Sequence, residues 1–203
     1  MPKVTAEHRE ARRRQILDAA MRCVAADGFH KTTMADVIRA SDLSAGAVYG
    51  YFRGKQDLIA AIADEAVGGI GEAIDHFITT SARTPSLPSV IDYVASRVED
   101  MTLVRGVDIT RIGVAAWAEA VRDPAVREIA APKFLTMRSR LSRVVEGLQA
   151  EGRWDPDADP NQVAVAALSL MPGYVLQRLI VRDVAPDQYA TAVNALLSGS
   201  TED

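Results

Sequence analysis

The 203-residue sequence has few of the residues on which secreted scaffolds and metalloenzymes depend. It contains a single cysteine, Cys23, which excludes an internal disulfide framework and favours a cytoplasmic location. Its three histidines, His8, His30 and His76, lie far apart and lack metal-ligand spacing with cysteine or acidic residues. The sequence therefore predicts neither a disulfide-rich fold nor a metal site.

Signatures of catalysis and of membrane insertion are missing as well. We find no G-x-S-x-G motif, no P-loop and no strand–glycine–helix fingerprint. The longest apolar runs, such as Val163–Leu170, are too short to span a bilayer, and Met1–Arg14 lacks the apolar core of a signal peptide. We therefore predict a protein that is neither an enzyme nor a membrane protein and that needs no cofactor.

Charge is distributed unevenly along the chain. The net charge is −4, but residues 1–55 carry a net charge of +4 and residues 56–203 carry −8. The first predicted helix holds four of the basic residues, Arg9, Arg12, Arg13 and Arg14, near its start, where positive charge opposes the helix macrodipole. A phosphate-facing role explains these arginines better than a solvated helix start, and the asymmetry indicates a DNA-reading head on an acidic body.

The stretch from Thr32 to Lys55 predicts two short helices joined by a tight turn. Thr33 is a good N-cap, and Asp36 can complete a capping box three residues later. Asp42 tolerates the positive φ that such a turn often needs, and Ser44 caps the second helix. This arrangement is typical of a helix-turn-helix whose second helix, at residues 45–52, enters the DNA groove.

The second helix has an inward face and an outward face. Val48 and Phe52 lie four residues apart and are predicted to pack inward, whereas Ala45 and Tyr49 lie on the opposite face. Small residues at its start allow close approach to DNA, and the tyrosine can reach a phosphate or a base edge. The predicted DNA-binding residues are Thr33, Ser44, Ala45, Gly46, Tyr49, Tyr51 and Lys55.

These residues resemble the DNA-binding region of the TetR family of bacterial transcriptional regulators. The resemblance covers about fifty residues and rests on Thr32-Thr33, Ser44, Gly46, Val48-Tyr49, Tyr51-Phe52, Arg53, Lys55 and Leu58. The sequence departs from the family pattern at Asp42, where glycine is usual, and at Gly50, which lowers helicity by about 1 kcal/mol relative to alanine. The resemblance implies a dimeric repressor that a small-molecule effector releases from a pseudo-palindromic operator.

The remainder of the chain also predicts helices, because apolar residues recur at helical spacing and no alternating strand pattern occurs. The expected fold is all-α, with a helix-turn-helix DNA-binding domain at residues 1–54 and a ligand-binding and dimerisation domain at 55–203. Pro132 and Pro172 are expected to kink or divide their helices. We predict helices near residues 6–26, 34–40, 45–52, 55–79, 89–104, 109–121, 125–151, 160–181 and 186–197.

Glycines near the middle of the fourth helix leave two interpretations open. Gly68-Gly69 and Gly71 either let the helix bend, which could carry a signal between the domains, or allow close packing of a neighbouring helix. The last two helices are apolar over more of their circumference than one body face requires. A homodimer through residues 160–181 and 186–197, forming a four-helix bundle, would cover this surface.

The body contains large, adaptable side chains that suit an apolar pocket with a few polar groups. Trp117 and Tyr174 are preferred because their polar hydrogens need partners when buried. Glu119 or Asp108 would favour a cationic ligand if either faced that pocket. An alternative function is a small-molecule carrier or sensor with a vestigial head. The predicted ligand-binding residues are Phe77, Tyr93, Met101, Trp117, Phe134, Met137, Met171 and Tyr174.

Overall fold

The computed structural model describes residues 6–198, with the side chains of 66–68, 101–105 and 198 left out of the account. The described residues form nine α-helices and no strand, which confirms the predicted all-α fold. The helices are α1 (Ala6–Lys31), α2 (Met34–Ser41), α3 (Ala45–Tyr51), α4 (Lys55–Thr80), α5 (Leu87–Arg105), α6 (Ile109–Arg122), α7 (Pro124–Ala150), α8 (Pro160–Ile180) and α9 (Pro186–Ser198).

The chain forms two compact units. The first, which we call the head unit, comprises the chain up to Ala66 together with Thr102–Ala130. The second, the body unit, comprises Val67–Met101 together with the chain from Ala131 onwards. Three helices, α4, α5 and α7, therefore contribute residues to both units. The predicted domain division after residue 54 stays a prediction.

The core of the head unit draws on more of the chain than the helix-turn-helix. One buried cluster contains Ile16 and Met21 of α1, Val48 of α3, Ile112 of α6 and Val126 of α7. Burial of each such side chain contributes about 1.5–3 kcal/mol. Because α6 packs against α1, the helix-turn-helix is held by residues far from it in sequence.

The core of the body unit lies between helices whose apolar stripes face inward. Val90 and Ala95 of α5, Val144 and Val145 of α7, and Tyr174 of α8 are all buried. Outside this core, Asp75 of α4 receives two hydrogen bonds from Arg140 Nε of α7, both at 3.0 Å. Gly71 makes room for this contact, since a Cβ there would lie 2.8 Å from an Arg140 Nη atom. Close packing is therefore the better interpretation at Gly71.

Helix α8 is long and mostly apolar. Among the described residues, α8 is the helix that is long enough and apolar enough to cross a membrane; the mean hydropathy of its most apolar stretch is 1.5, and 22% of that stretch is buried. Its apolar residues are interrupted by polar ones, so no single unbroken run in the sequence reveals this property of the whole helix. The core helix of a soluble protein can have the same length and composition. Helix α8 does carry a buried residue of the body core, Tyr174.

Neither internal proline divides its helix. Helix α7 continues through Pro132 and α8 through Pro172, so neither is divided, and a kink, the other expectation, stays a prediction. A proline removes one backbone hydrogen bond, and a helix of 27 residues such as α7 retains most of its own hydrogen bonds and its packing. Gly28 does interrupt α1, with φ 77° and ψ 165°, close to the predicted end of the first helix near residue 26.

Candidate nucleic-acid interface

The capping box at the start of α2 is present as the sequence predicts. Thr33 Oγ1 accepts a hydrogen bond from the Asp36 backbone N–H at 3.2 Å, and Asp36 Oδ2 accepts from the Thr33 N–H at 3.0 Å. The Thr33 hydroxyl also donates to Asp36, and this bond is the main cause that lowers the pKa of the Asp36 carboxyl. The reciprocal bonds satisfy backbone donors that the first helical turn leaves free.

The turn between α2 and α3 adopts the backbone conformation expected of it. Asp42 caps α2 in the left-handed region, with φ 55° and ψ 35°. Ser44 then caps α3, and its Oγ accepts a hydrogen bond from the Ala47 N–H at 3.2 Å. These two caps fix the direction in which α3 leaves the turn.

Helix α3 separates its two faces as predicted. Val48 is fully buried, and Phe52 is buried at the C-terminal cap. On the opposite face, Ala45 and Gly46 are exposed, and Tyr49 is 49% exposed. An exposed aromatic side chain beside small residues suits contact with a groove better than it suits solvent.

Tyr51 and Lys55 already have contacts within the head unit. Tyr51 is half-buried and packs against the head core. Lys55 Nζ donates to the backbone carbonyl of His30 at 3.2 Å, so this ammonium group ties the start of α4 to the end of α1. A lysine has three donors, so Lys55 keeps capacity for a phosphate.

Two of the clustered arginines lie beside the helix-turn-helix. Arg12 donates to Gln15 at 2.9 Å, and Gln15 Nε2 donates to the carbonyl of Ser41 at 2.7 Å, next to the turn. The guanidinium of Arg13 lies 5.7 Å from the centroid of the Phe52 ring. The sequence indicated a phosphate-facing cluster, and the fold adds that Arg12 is linked through Gln15 to the end of α2 while Arg13 lies over the residue that caps α3.

Comparison with known proteins agrees with this geometry. Residues 16–62 match the model described as "Bacterial regulatory proteins, tetR family", and residues 104–201 match "BetI-type transcriptional repressor, C-terminal". An HTH-type transcriptional repressor of Mycobacterium tuberculosis is 32% identical over 191 residues, spanning 86% of this chain and 98% of the relative. The chain belongs to the TetR family. It is therefore a DNA-binding transcriptional regulator.

Solved structures of similar fold align with almost the whole length of this TetR-family protein. GusR of Salmonella enterica is 28% identical, has a TM-score of 0.74, and the alignment covers 98% of each chain. A regulator from Saccharomonospora viridis solved with choline is 19% identical, has a TM-score of 0.76, and is covered to 97% by 94% of this chain. The second likeness shows the fold alone.

The predicted ligand-binding residues fall in both units. Trp117 is half-buried in the head unit, whereas the other described candidates belong to the body unit. Phe77 and Tyr93 stack with ring centroids 4.5 Å apart and an interplanar angle of 7°. Met137 is buried, Met171 is half-buried, and the Met101 side chain lies outside the described residues. The sequence predicted Phe77 and Tyr93 as separate candidates but did not predict that their rings stack on each other.

Phe134 lies at a surface groove of the body unit. The groove runs between α7 and α8 and has a volume of about 460 Å³. Its walls are mostly apolar, and Arg138 and Ser169 supply polar groups. The lining residues are Ala131, Phe134, Leu135, Arg138, Val165, Leu168, Ser169 and Pro172.

The two acidic residues considered for a cationic ligand have other contacts. Asp108 caps α6 by accepting a hydrogen bond from the Thr110 N–H at 3.0 Å. Glu119 lies 4.0 Å from His30 Nδ1, within the head unit. Among the described residues, no group of three or more histidine, cysteine and acidic side chains could hold a metal ion.

Proposed function

We propose that this protein is a cytoplasmic repressor that binds a short pseudo-palindromic operator and leaves it when a small apolar or amphipathic effector binds. The observation that carries the proposal is the exposed face of α3, where Ala45, Gly46 and Tyr49 point away from the head core. The caps at Thr33 and Ser44 hold this face in place before DNA arrives. Preorganisation of this kind lowers the entropic cost of binding.

Each DNA contact has a chemical role. Thr33 and Ser44 present hydroxyls and helix N-terminal amides to phosphates. A Cβ at Gly46 would meet nothing within 4 Å in the protein, so the space beside this residue is open for the DNA backbone. Ala45 and Tyr49 face the groove, and Tyr51 and Lys55 steady the DNA backbone. Arg12 and Arg13 join this set because their contacts place them beside the helix-turn-helix.

The proposed homodimer forms through α8 and α9. Val165, Leu176 and Ile180 of α8 and Leu196 of α9 are large apolar side chains that the single chain leaves exposed. A second copy would remove this surface from water, and the side chains would then stabilise the dimer at about 25 cal/mol per Å² buried. Dimerisation would place two recognition helices roughly 34 Å apart, as successive major grooves require.

Effector response requires that a ligand change the head. Helix α4 supports this part of the proposal because it supplies residues to both units without a break. The choline-bound neighbour of the same fold supports a small-molecule effector but does not indicate its chemistry. A coupling free energy of about 1–3 kcal/mol between the effector and DNA would suffice for release.

Selection from random DNA duplexes with the purified full-length protein tests the proposal. We expect enrichment of one sequence with two related half-sites about 10 base pairs apart, centre to centre. A carrier with a vestigial head would enrich no such sequence. The enriched duplex then provides the assay in which a compound library is screened for release, and a repressor without an effector would fail only this second step.

A further inference from the structure

Tyr174 combines complete burial with an unsatisfied hydroxyl. Its side chain is 0% exposed, and it is among the largest fully buried side chains of the described residues. Within the described part of the chain, its hydroxyl oxygen is the buried side-chain polar atom that has no hydrogen-bond partner. Nearly all buried polar groups in native proteins are hydrogen-bonded, so a hydroxyl of this kind needs a specific explanation.

The neighbouring Tyr189 shows that the same region can satisfy a tyrosine. The two rings lie 4.9 Å apart, with an interplanar angle of 35°. Tyr189 donates its hydroxyl hydrogen to the carbonyl of Leu170 at 2.6 Å. The difference between the two hydroxyls therefore does not come from a general shortage of acceptors between α8 and α9.

The electrostatic surroundings keep the Tyr174 hydroxyl protonated. Burial is the main cause that raises its pKa, while Arg178 lowers the pKa and Glu99 raises it. A protonated phenol can donate one hydrogen bond to an incoming acceptor. Other buried side chains of the body unit include Ala167 and Val175 of α8 and Val193 of α9, all of them apolar.

Helix α8 is also locally weakened beside Tyr174. Pro172 has no N–H, so it cannot make the usual helical hydrogen bond to the carbonyl of Leu168. Gly173 follows it and has no side chain to pack. The turn that carries Tyr174 therefore has one backbone hydrogen bond fewer than a regular helical turn.

We propose that Tyr174 is the polar recognition residue of the effector site and donates a hydrogen bond to an uncharged, mainly apolar molecule with one acceptor atom. This assignment rests on the proposed function, in which an effector binds in the body. The two charged groups that act on the hydroxyl, Arg178 and Glu99, have opposite signs, and the buried side chains named above are apolar. A neutral molecule with one acceptor suits these surroundings, because only one polar group needs a partner there. The proposal also explains why a destabilising hydroxyl is present in the free protein.

Two conservative variants test the hydroxyl in the protein without ligand. Tyr174→Phe removes an unsatisfied group and should raise Tm by about 2–4 °C. Tyr189→Phe is the matched control, because it removes a hydroxyl that has a partner and should lower Tm. Both are compared with the unaltered protein at one protein concentration. A lower Tm for Tyr174→Phe would mean that the hydroxyl already has a partner, such as an ordered water, and would overturn the proposal.

A probe ligand tests recognition directly. Cyclohexanone, which is mainly apolar and has a single carbonyl acceptor, is titrated into ¹⁵N-labelled protein and followed by NMR. We expect saturable shifts of amides near Tyr174 and binding about twofold to tenfold weaker in Tyr174→Phe, with Tyr189→Phe unaffected. Equal binding by Tyr174→Phe, or no saturable shift near residue 174, contradicts the proposal. Neither result depends on operator binding, so failure of the repressor assignment would be seen separately in the DNA selection.

Discussion

Glu151 joins the loop between α4 and α5 to the end of α7 through hydrogen bonds. Its carboxylate accepts hydrogen bonds from the Thr84 backbone N–H at 2.9 Å and the Thr84 hydroxyl at 2.7 Å. Arg153 donates to the other oxygen at 2.8 Å and also donates to the Thr84 carbonyl at 2.6 Å. The hydrogen bond from Arg153 is the largest of the causes that lower the pKa of Glu151 to about 2. One exposed side chain thus joins segments 67 residues apart.

Replacing Glu151 with glutamine should lower Tm at pH 7. The folded-state pKa lies below the ordinary value of 4.5, so the contribution is complete above about pH 4.5 and is lost as pH falls towards 2. The Tm difference between variant and parent should therefore shrink over that interval. Glu72→Gln, at an exposed position of α4 in the same unit, is the control for the removal of one negative charge. A constant Tm difference across this interval would contradict the assignment.

At the level of helices, α3 is short and carries a glycine at an exposed internal position. Gly50 lies in a helix of seven residues, and a Cβ there would meet nothing within 4 Å. Glycine in a helix interior costs about 0.5–1 kcal/mol relative to alanine. Gly50 therefore makes α3 less stable than the same helix with alanine at this position. DNA binding would have to order the helix further.

Gly50→Ala should stabilise the protein by about 0.5–1 kcal/mol and strengthen operator binding, because a better-formed helix needs less ordering. Chemical denaturation and DNA titration measure the two effects. Gly46→Ala is the matched comparison on the same helix. It should not destabilise the free protein, since its Cβ also has open space, but it should weaken operator binding if DNA approaches there. Stronger operator binding by Gly46→Ala would contradict the close-approach role.

The helices could be predicted from sequence because caps and apolar periodicity are local signals. The helix-turn-helix is predicted by its capping residues Thr33, Asp42 and Ser44, and the structure confirms each of these caps. The contribution of α6 to the head core could not be predicted in this way, because Ile112 lies far from α1 in sequence. The unsatisfied hydroxyl of Tyr174 likewise depends on every neighbour in three dimensions. Residue type alone indicated only that this hydroxyl would need a partner.

At the scale of the whole molecule, the exposed apolar surface of α8 is the feature that a single chain does not explain. Ile180 is 74% exposed near the end of a helix that contributes Tyr174 to the body core. Isolated exposed apolar residues are common, but Val165, Leu176 and Ile180 lie on the same helix. The proposed dimer would cover this surface and would supply the spacing that a two-fold operator needs.

Ile180→Glu should weaken the dimer at least about tenfold, because the interface would have to bury an unpaired charge. Analytical ultracentrifugation measures the change, and operator affinity should fall with it. Val121→Glu is the control: this residue is 78% exposed on α6, outside the proposed interface. An Ile180→Glu protein that stays dimeric and binds DNA normally would place the interface elsewhere.

The most direct measurement is a fluorescence-anisotropy titration of the full-length protein with labelled DNA from upstream of its own gene, beside a scrambled duplex. The account predicts saturable, salt-sensitive binding that prefers the native duplex. Tyr49→Ala should lose about 1–3 kcal/mol of that preference, whereas Val121→Ala should bind like the parent protein. Equal binding to both duplexes that Tyr49→Ala leaves unchanged would contradict the assignment of the exposed α3 face as the surface that reads this DNA.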